Sequence, residues 1–108
     1  MNFEIIVIAP FEREAKLLMK KYQSLKSDLQ KLTYTLIENP IQGKALGKDC
    51  YKIRMAIESK GKGKSGGARV IICVKVIKNK VYLLTVYDKS EKEDISDIIL
   101  CELLKFVE

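Results

Sequence analysis

The chain opens with a mostly β-branched apolar run from Phe3 to Ala9, closed by Ala9-Pro10. This predicts a buried strand stopped by a proline. The period then becomes helical. Phe11, Ala15, Leu18, Met19 and Tyr22 fall at i, i+4, i+7, i+8 and i+11 on one helix face, and Pro10 suits its first turn. Leu25, Leu29, Leu32 and Leu36 follow at spacings of four, three and four, with Ser24 as N-cap and Asn39-Pro40 as stop. The two runs together predict a helical hairpin.

Ile41 to Asp49, with Gly43 and Gly47, reads as a loop leading into Tyr51-Lys52-Ile53-Arg54-Met55-Ala56-Ile57. That strand alternates: Tyr51, Ile53, Met55 and Ile57 take one face, and Lys52, Arg54 and Ala56 the other. Lys60 to Gly67 is too glycine-rich for regular structure and too charged for burial, so an exposed mobile loop is expected. Ala68–Ile77 and Val81–Tyr87, joined at Lys78-Asn79-Lys80, predict an antiparallel hairpin central to the sheet. Ser90-Glu91-Lys92-Glu93 has the capping-box pattern, so a last helix is expected there, with Ile95, Ile98, Ile99, Leu103 and Phe106 as its apolar face. The order predicts an α+β fold: an N-terminal strand, a helical hairpin packed on a mostly antiparallel sheet of about four strands, and a C-terminal helix.

Length sharpens this picture. With 108 residues there is room for one domain spanning 1–108. No apolar run is long enough to cross a bilayer, and Met1-Asn2-Phe3-Glu4 lacks a secretory n-region, so a cytoplasmic protein is expected. Cys50, Cys73 and Cys101 are odd in number and lie within apolar runs, where Cys behaves as a small hydrophobe. There is no histidine and no close cysteine pair, so no metal site and no cofactor is expected.

Charge changes the picture most. Between Gln42 and Arg69 lie Lys44, Lys48, Lys52, Arg54, Lys60, Lys62, Lys64 and Arg69 against Asp49 and Glu58, a local balance of 8 − 2 = +6 that equals the net charge of the whole chain. A polyanion is the natural partner for such a segment, nucleic acid ahead of a membrane surface, although a solvated lysine-rich loop fits the charge alone equally well.

Several chemistries are excluded. Gly63-Lys64-Ser65 resembles the end of a phosphate-binding P-loop, but Glu58 stands where that motif requires glycine, and a β-branched strand follows where a helix should. Backbone amides of the loop remain able to contact a phosphate. Serine or cysteine catalysis with a histidine base is impossible here. The acids from Asp88 to Asp97 read as helix capping and a solvated face. What remains is a set of cations at strand faces and ends: Lys52, Arg54, Arg69 and Lys89. RNA cleavage by a 2′-hydroxyl requires a base, charge stabilisation at the phosphate and protonation of the leaving oxygen. Lysine and arginine can supply these, a crowded lysine through a lowered pKa and arginine through its fork.

Phe11-Glu12-Arg13-Glu14-Ala15-Lys16, Lys20-Lys21-Tyr22, Asn39-Pro40, Leu46-Gly47, Tyr51-Lys52-Ile53-Arg54, Gly63-Lys64-Ser65-Gly66-Gly67-Ala68-Arg69-Val70 and Tyr82-Leu83-Leu84, taken in order, resemble the HigB-like branch of the RelE toxins. The resemblance implies the toxin of a type II toxin–antitoxin pair. Such a protein enters the A site of the 70S ribosome, cuts the messenger RNA under translation, and is neutralised by an antitoxin of helix-turn-helix type that meets operator DNA. It further implies that Arg69, Lys52, Arg54 and, less directly, Lys89 handle the phosphate, with Lys44, Lys48, Lys60, Lys62 and Lys64 on RNA or the ribosome. Some relatives use a C-terminal tyrosine; nothing after Tyr87 is tyrosine, and Tyr87 is either its substitute or a packed sheet residue. Two other readings share these features, a gyrase inhibitor of the sister ParE branch and a non-catalytic RNA-binding module.

Overall fold

The computed structural model describes residues 2–108. Among them the order is β1 (Glu4–Val7), α1 (Ala9–Lys21), α2 (Leu25–Glu38), β2 (Lys44–Gly47), β3 (Cys50–Met55), a 3₁₀ turn (Glu58–Lys60), β4 (Ala68–Lys75), β5 (Lys80–Asp88) and α3 (Asp97–Leu104). The strands form one sheet in the order β1-β5-β4-β3-β2, with β1 parallel to β5 and every other pair antiparallel. The α+β class and the helical hairpin agree with the sequence; the sheet has one strand more than expected.

Directly opposed residues on paired strands share a face, so the register defines the two sides. Ala68 opposes Asp88, Met55 opposes Ala68, and Val70 opposes Ile53 and Val86. These side chains face the helical hairpin, whose Phe11, Ala15, Leu18, Leu25 and Leu36 are buried with them. Arg69 opposes both Arg54 and Tyr87, Lys52 opposes Lys44 and Ile71, and Cys73 opposes Cys50 and Tyr82, which makes the other face. α3 covers part of that second face, burying Leu100 and Leu103, and the Tyr82 hydroxyl donates to the Glu108 carbonyl at 3.4 Å. With cover on both sides, Ala68 to Val74 is buried at every position, which is why its sequence is a continuous apolar run broken only by Arg69.

The register of β4 on β5 shifts between Ile71 and Ile72, whose partners are Thr85 and Leu83, leaving Leu84 as the extra residue of a β-bulge. The bulge lets Tyr82 and Tyr87, five positions apart, point to the same side.

Several boundaries differ from expectation. β1 is a partly exposed edge strand, and the buried residue of that run is Ile8, next to the helix. β2 lies inside the stretch expected as a loop. It is folded back on β3 by a two-residue turn in which Lys48 (φ 56) and Asp49 (φ 64) both adopt the left-handed conformation. β4 stops at Lys75, so Val76 and Ile77 lie in the hairpin turn, where Ile77 is 98% exposed. Ser24 stands at the N-cap position but makes no cap bond; its hydroxyl donates to Asp28 at 2.8 Å. Met19, expected on the buried helix face, is exposed.

Candidate active site

Lys52 and Arg54 leave β3 on the face opposite the helical hairpin, and Arg69 leaves β4 directly across from Arg54. With Lys44 from β2 and Gly43 beside it, they line an open pocket of about 410 Å³ that also includes Glu93. Glycine is required at position 43, because φ is +83° and a Cβ there would lie 2.2 Å from the Lys52 carbonyl oxygen. The loop before β2 can therefore lie flat against β3 at Lys52.

The Arg69 guanidinium is 2% exposed and held from two directions. The Gly-rich loop supplies carbonyls, Lys64 O at 3.0 Å and Ser65 O at 3.3 Å, and Ala68 O accepts at 3.1 Å. So the loop presents its acceptors to Arg69, whereas the sequence suggested its amides for a phosphate. From the other side, Arg69 Nε donates to Glu93 Oε2 at 2.8 Å and a terminal nitrogen to Oε1 at 3.2 Å, a two-pronged grip on one carboxylate. Lys52, 9% exposed, donates to Asp94 at 2.6 Å, to the Glu93 carboxylate at 3.3 Å and to the Glu93 carbonyl at 3.4 Å. The Tyr87 hydroxyl also donates to the Glu93 carbonyl, at 2.9 Å.

These contacts fix the protonation states. The Arg69 hydrogen bond holds the Glu93 carboxyl down to about 2, with Lys52 adding to it. The hydrogen bond to Asp94 pushes the Lys52 ammonium above its ordinary range despite burial. This corrects the expectation that crowding by cations would lower Lys52: carboxylates surround it in this arrangement, and it is firmly protonated. Burial pushes the Tyr87 phenol up, so it too keeps its proton at neutral pH.

The remaining sequence candidates are dispersed. Arg54 is exposed at the pocket rim, without an ion pair among the described residues. Lys89 is exposed one residue beyond β5 and does not line the pocket. Lys44 joins Lys52 and Arg54 in the pocket. Lys48 lies at the far end of β3, its Nζ 3.1 Å from Cys101 Sγ. Lys62 and Lys64 are exposed in the loop, Lys64 lining a larger groove of about 800 Å³ between α2 and β3 into which Arg54 also reaches. Lys60 faces the other side of the sheet, bonded to Asp88 at 2.7 Å. Cys50 and Cys73 are buried as expected, but Cys101 is exposed.

Three acidic residues escaped the sequence reading. The capping-box pattern places Glu93 and Asp94 at a helix N-terminus; in the structure the helix starts at Asp97, capped by Ser96, which accepts from the Ile99 amide at 3.2 Å. Asp88 is fully buried on the hairpin side, bonded by Lys60, by the Tyr22 hydroxyl and by Ser90 through both amide (2.9 Å) and hydroxyl (2.7 Å). Burial alone would push its carboxyl up; the bonds from Lys60, Tyr22 and Ser90 outweigh that and hold it well below the usual range. A signal for all three was present in charge: Asp88 to Asp97 carries five acids against Lys89 and Lys92, a complement to the +6 segment at Gln42 to Arg69.

A small α+β protein that gathers arginine and lysine on one side of a five-stranded sheet, behind a helical hairpin, defines a class that comparison with known proteins identifies. The family model described as the RelE toxin of the RelE/RelB toxin–antitoxin system matches residues 6–106, and the chain belongs to that family. Its fold is that of E. coli RelE. A double arginine-to-alanine mutant of that toxin in the free state superposes with a TM-score of 0.63 at 21% identity, covering 100% of both chains. The isolated E. coli RelE toxin gives 0.58 at 23% identity, over 98% of this chain and 99% of that one. A chain of the intact E. coli RelBE toxin–antitoxin complex gives 0.60 at 21% identity, over 80% of this chain and 95% of that one. No helix among the described residues is long and apolar enough to cross a membrane.

Proposed function

We propose that this RelE-family toxin is a ribosome-dependent messenger-RNA endoribonuclease that needs no metal ion, acts in the cytoplasm as one 1–108 toxin unit and is held in check by a helix-turn-helix antitoxin. The observation that carries the reading is the convergence of Arg69, Lys52 and Arg54 from adjacent strands on one pocket, with Arg69 already gripping an anion through two nitrogens. A phosphodiester presents two non-bridging oxygens to such a fork in the same way.

In this reading the 2′-hydroxyl gives its proton to solvent water as it attacks the adjacent phosphorus, the bond to the 5′ oxygen breaks, that oxygen is protonated, and a 2′,3′-cyclic phosphate and a 5′-hydroxyl result. Arg69 takes the charge that builds on the phosphorane oxygens, where a pre-set donor is worth roughly 10²–10³ in rate. Arg54 and Lys44, at the rim, draw in the backbone of the message. Lys52 and Tyr87, both protonated at neutral pH, are suited to donate a proton to the departing 5′ oxygen. Lys89, outside the pocket, contacts flanking phosphate, and Lys48, Lys62 and Lys64 face ribosomal RNA.

The test is induction in a bacterial host beside Arg69→Ala, with 5′ ends mapped on a translated message, with and without a translation inhibitor. In-frame cuts that disappear in the variant and without translation are the expected result. Growth arrest with intact messages and altered DNA supercoiling would move the target to gyrase, and no arrest would leave a binding module.

A further inference from the structure

We propose that residues 93–95 form a self-occluding strap, in which the Glu93 side chain stands in for a phosphodiester on Arg69 and Lys52 and is displaced when RNA binds. The inference rests on the reading of Arg69 and Lys52 as the phosphate site, and it adds that the site is closed in the free protein.

Four observations carry it. Arg69 is 2% exposed, so no phosphate reaches it while Glu93 is in place. Glu93 meets the guanidinium with both carboxylate oxygens, at 2.8 and 3.2 Å, the geometry in which arginine also holds phosphate. Arg69, Lys52 and Tyr87, three inward groups of the pocket face, all end on this single residue, two of them on its backbone carbonyl. Lifting Glu93 together with Asp94 therefore frees Lys52 and Tyr87 and leaves Arg69 held only by backbone carbonyls. Finally, residues 93–95 lie between the turn at 89–92, which is bonded to Gly67 and Asp88, and the Ser96 cap, without helix or strand of their own, so they can lift while both flanking elements stay folded.

The contact is also of a kind that exchanges. Glu93 and Asp94 side chains are 45% and 74% exposed, so their ion pairs with the cations are solvated on one side and yield readily to a competing anion. Arg54 and Lys44, exposed at the rim of the pocket, meet the incoming polyanion first. A strap open about a tenth of the time reduces the apparent affinity for RNA about tenfold.

The experiment measures binding of a short 2′-O-methyl oligoribonucleotide, which resists cleavage, by fluorescence anisotropy at fixed salt. Compared are the wild type, Glu93→Gln/Asp94→Asn, the charge-matched control Glu91→Gln/Glu102→Gln, and Glu93→Gln/Asp94→Asn with Arg69→Ala added. Expected is about tenfold tighter binding for the strap variant, a much smaller gain for the control, and loss of the gain once Arg69 is removed. Equal gains in strap variant and control, a gain that survives Arg69→Ala, or no RNA binding by any variant would each overturn it. Hydrogen exchange supplies a second readout, with amides at 93–95 gaining no protection on RNA binding while β5 and α3 keep theirs; increased protection of that segment would contradict displacement. The two readings fail separately. A protein that cuts messages but shows no strap effect retains the proposed function and loses this inference, whereas a strap effect without cleavage does the reverse.

Discussion

Two clusters of carboxylates and cations lie at the end of β5, and they differ in almost every physical respect. Asp88 and Tyr87 are neighbours in sequence and point to opposite faces of the sheet. On the hairpin side, Asp88 is fully buried and both its oxygens are bonded, tying α1 through Tyr22, the turn before the Gly-rich loop through Lys60, and the strand end through Ser90. On the other side, Glu93 and Asp94 reach in from an irregular segment and keep much of their surface in water. A buried carboxylate whose bonds cannot be replaced by water fixes structure. A half-exposed one on a loop costs little to exchange, which is what a site needs if its occupant is to be replaced by substrate.

The comparison breaks most visibly at Arg69. Arg69→Ala is expected to lower message cleavage by roughly 10²–10³, read by single-turnover cleavage at a temperature where circular dichroism shows the variant folded, because loss of a buried side chain that bonds three carbonyls lowers the melt as well. Asp88→Asn should act on stability alone. It strands Lys60 in a nearly buried position and is expected to cost about 3 kcal/mol of stability, measured by urea unfolding, with RNA affinity unchanged. Glu93→Gln/Asp94→Asn should cost less stability than Asp88→Asn, because water screens the half-exposed carboxylates, so an equal or larger loss would mean that the second cluster is structural as well.

Acid sharpens the same contrast. The folded Asp88 carboxyl titrates below its unfolded value, so its contribution is complete above about pH 4 and is lost as pH falls from there toward the folded pKa. The wild type should therefore lose stability between pH 5 and the acid limit more steeply than Asp88→Asn; parallel curves would remove Asp88 from the account. The smallest effect concerns Lys89, which lies outside the pocket: Lys89→Ala should slow cleavage less than Lys52→Ala does, and the reverse order would place Lys89 at the phosphate.

These contrasts also show what a sequence carries. The hairpin α1–α2 and strands β3, β4 and β5 were legible because their apolar spacing is set by burial on known faces. The alternation of Lys52 and Arg54 placed both on one side before any register was known. β2 was hidden because it is a four-residue edge strand, and its turn uses Lys48 and Asp49 in the left-handed conformation where asparagine and glycine are the usual signal. The start of α3 was misread because Ser90 to Glu93 satisfies the capping-box spacing, while in the fold Ser90 turns to Asp88 and Glu93 to Arg69. Local pattern and long-range charge competed for the same residues, and the long-range partners won. The acidic half of the site was lost to that competition, although its charge complement was visible along the chain.

The central claim is that Arg69 and its neighbours promote attack by an RNA 2′-hydroxyl on the ribosome. It is tested most directly with purified 70S ribosomes programmed with an end-labelled message, first all-ribose and then with a single 2′-deoxynucleotide at the mapped cut. The account predicts a 2′,3′-cyclic phosphate and a 5′-hydroxyl from the first message, and no cut at that position in the second. Cleavage of the deoxy message at the same bond, or an intact ribose message under conditions where the protein binds the ribosome, would contradict it.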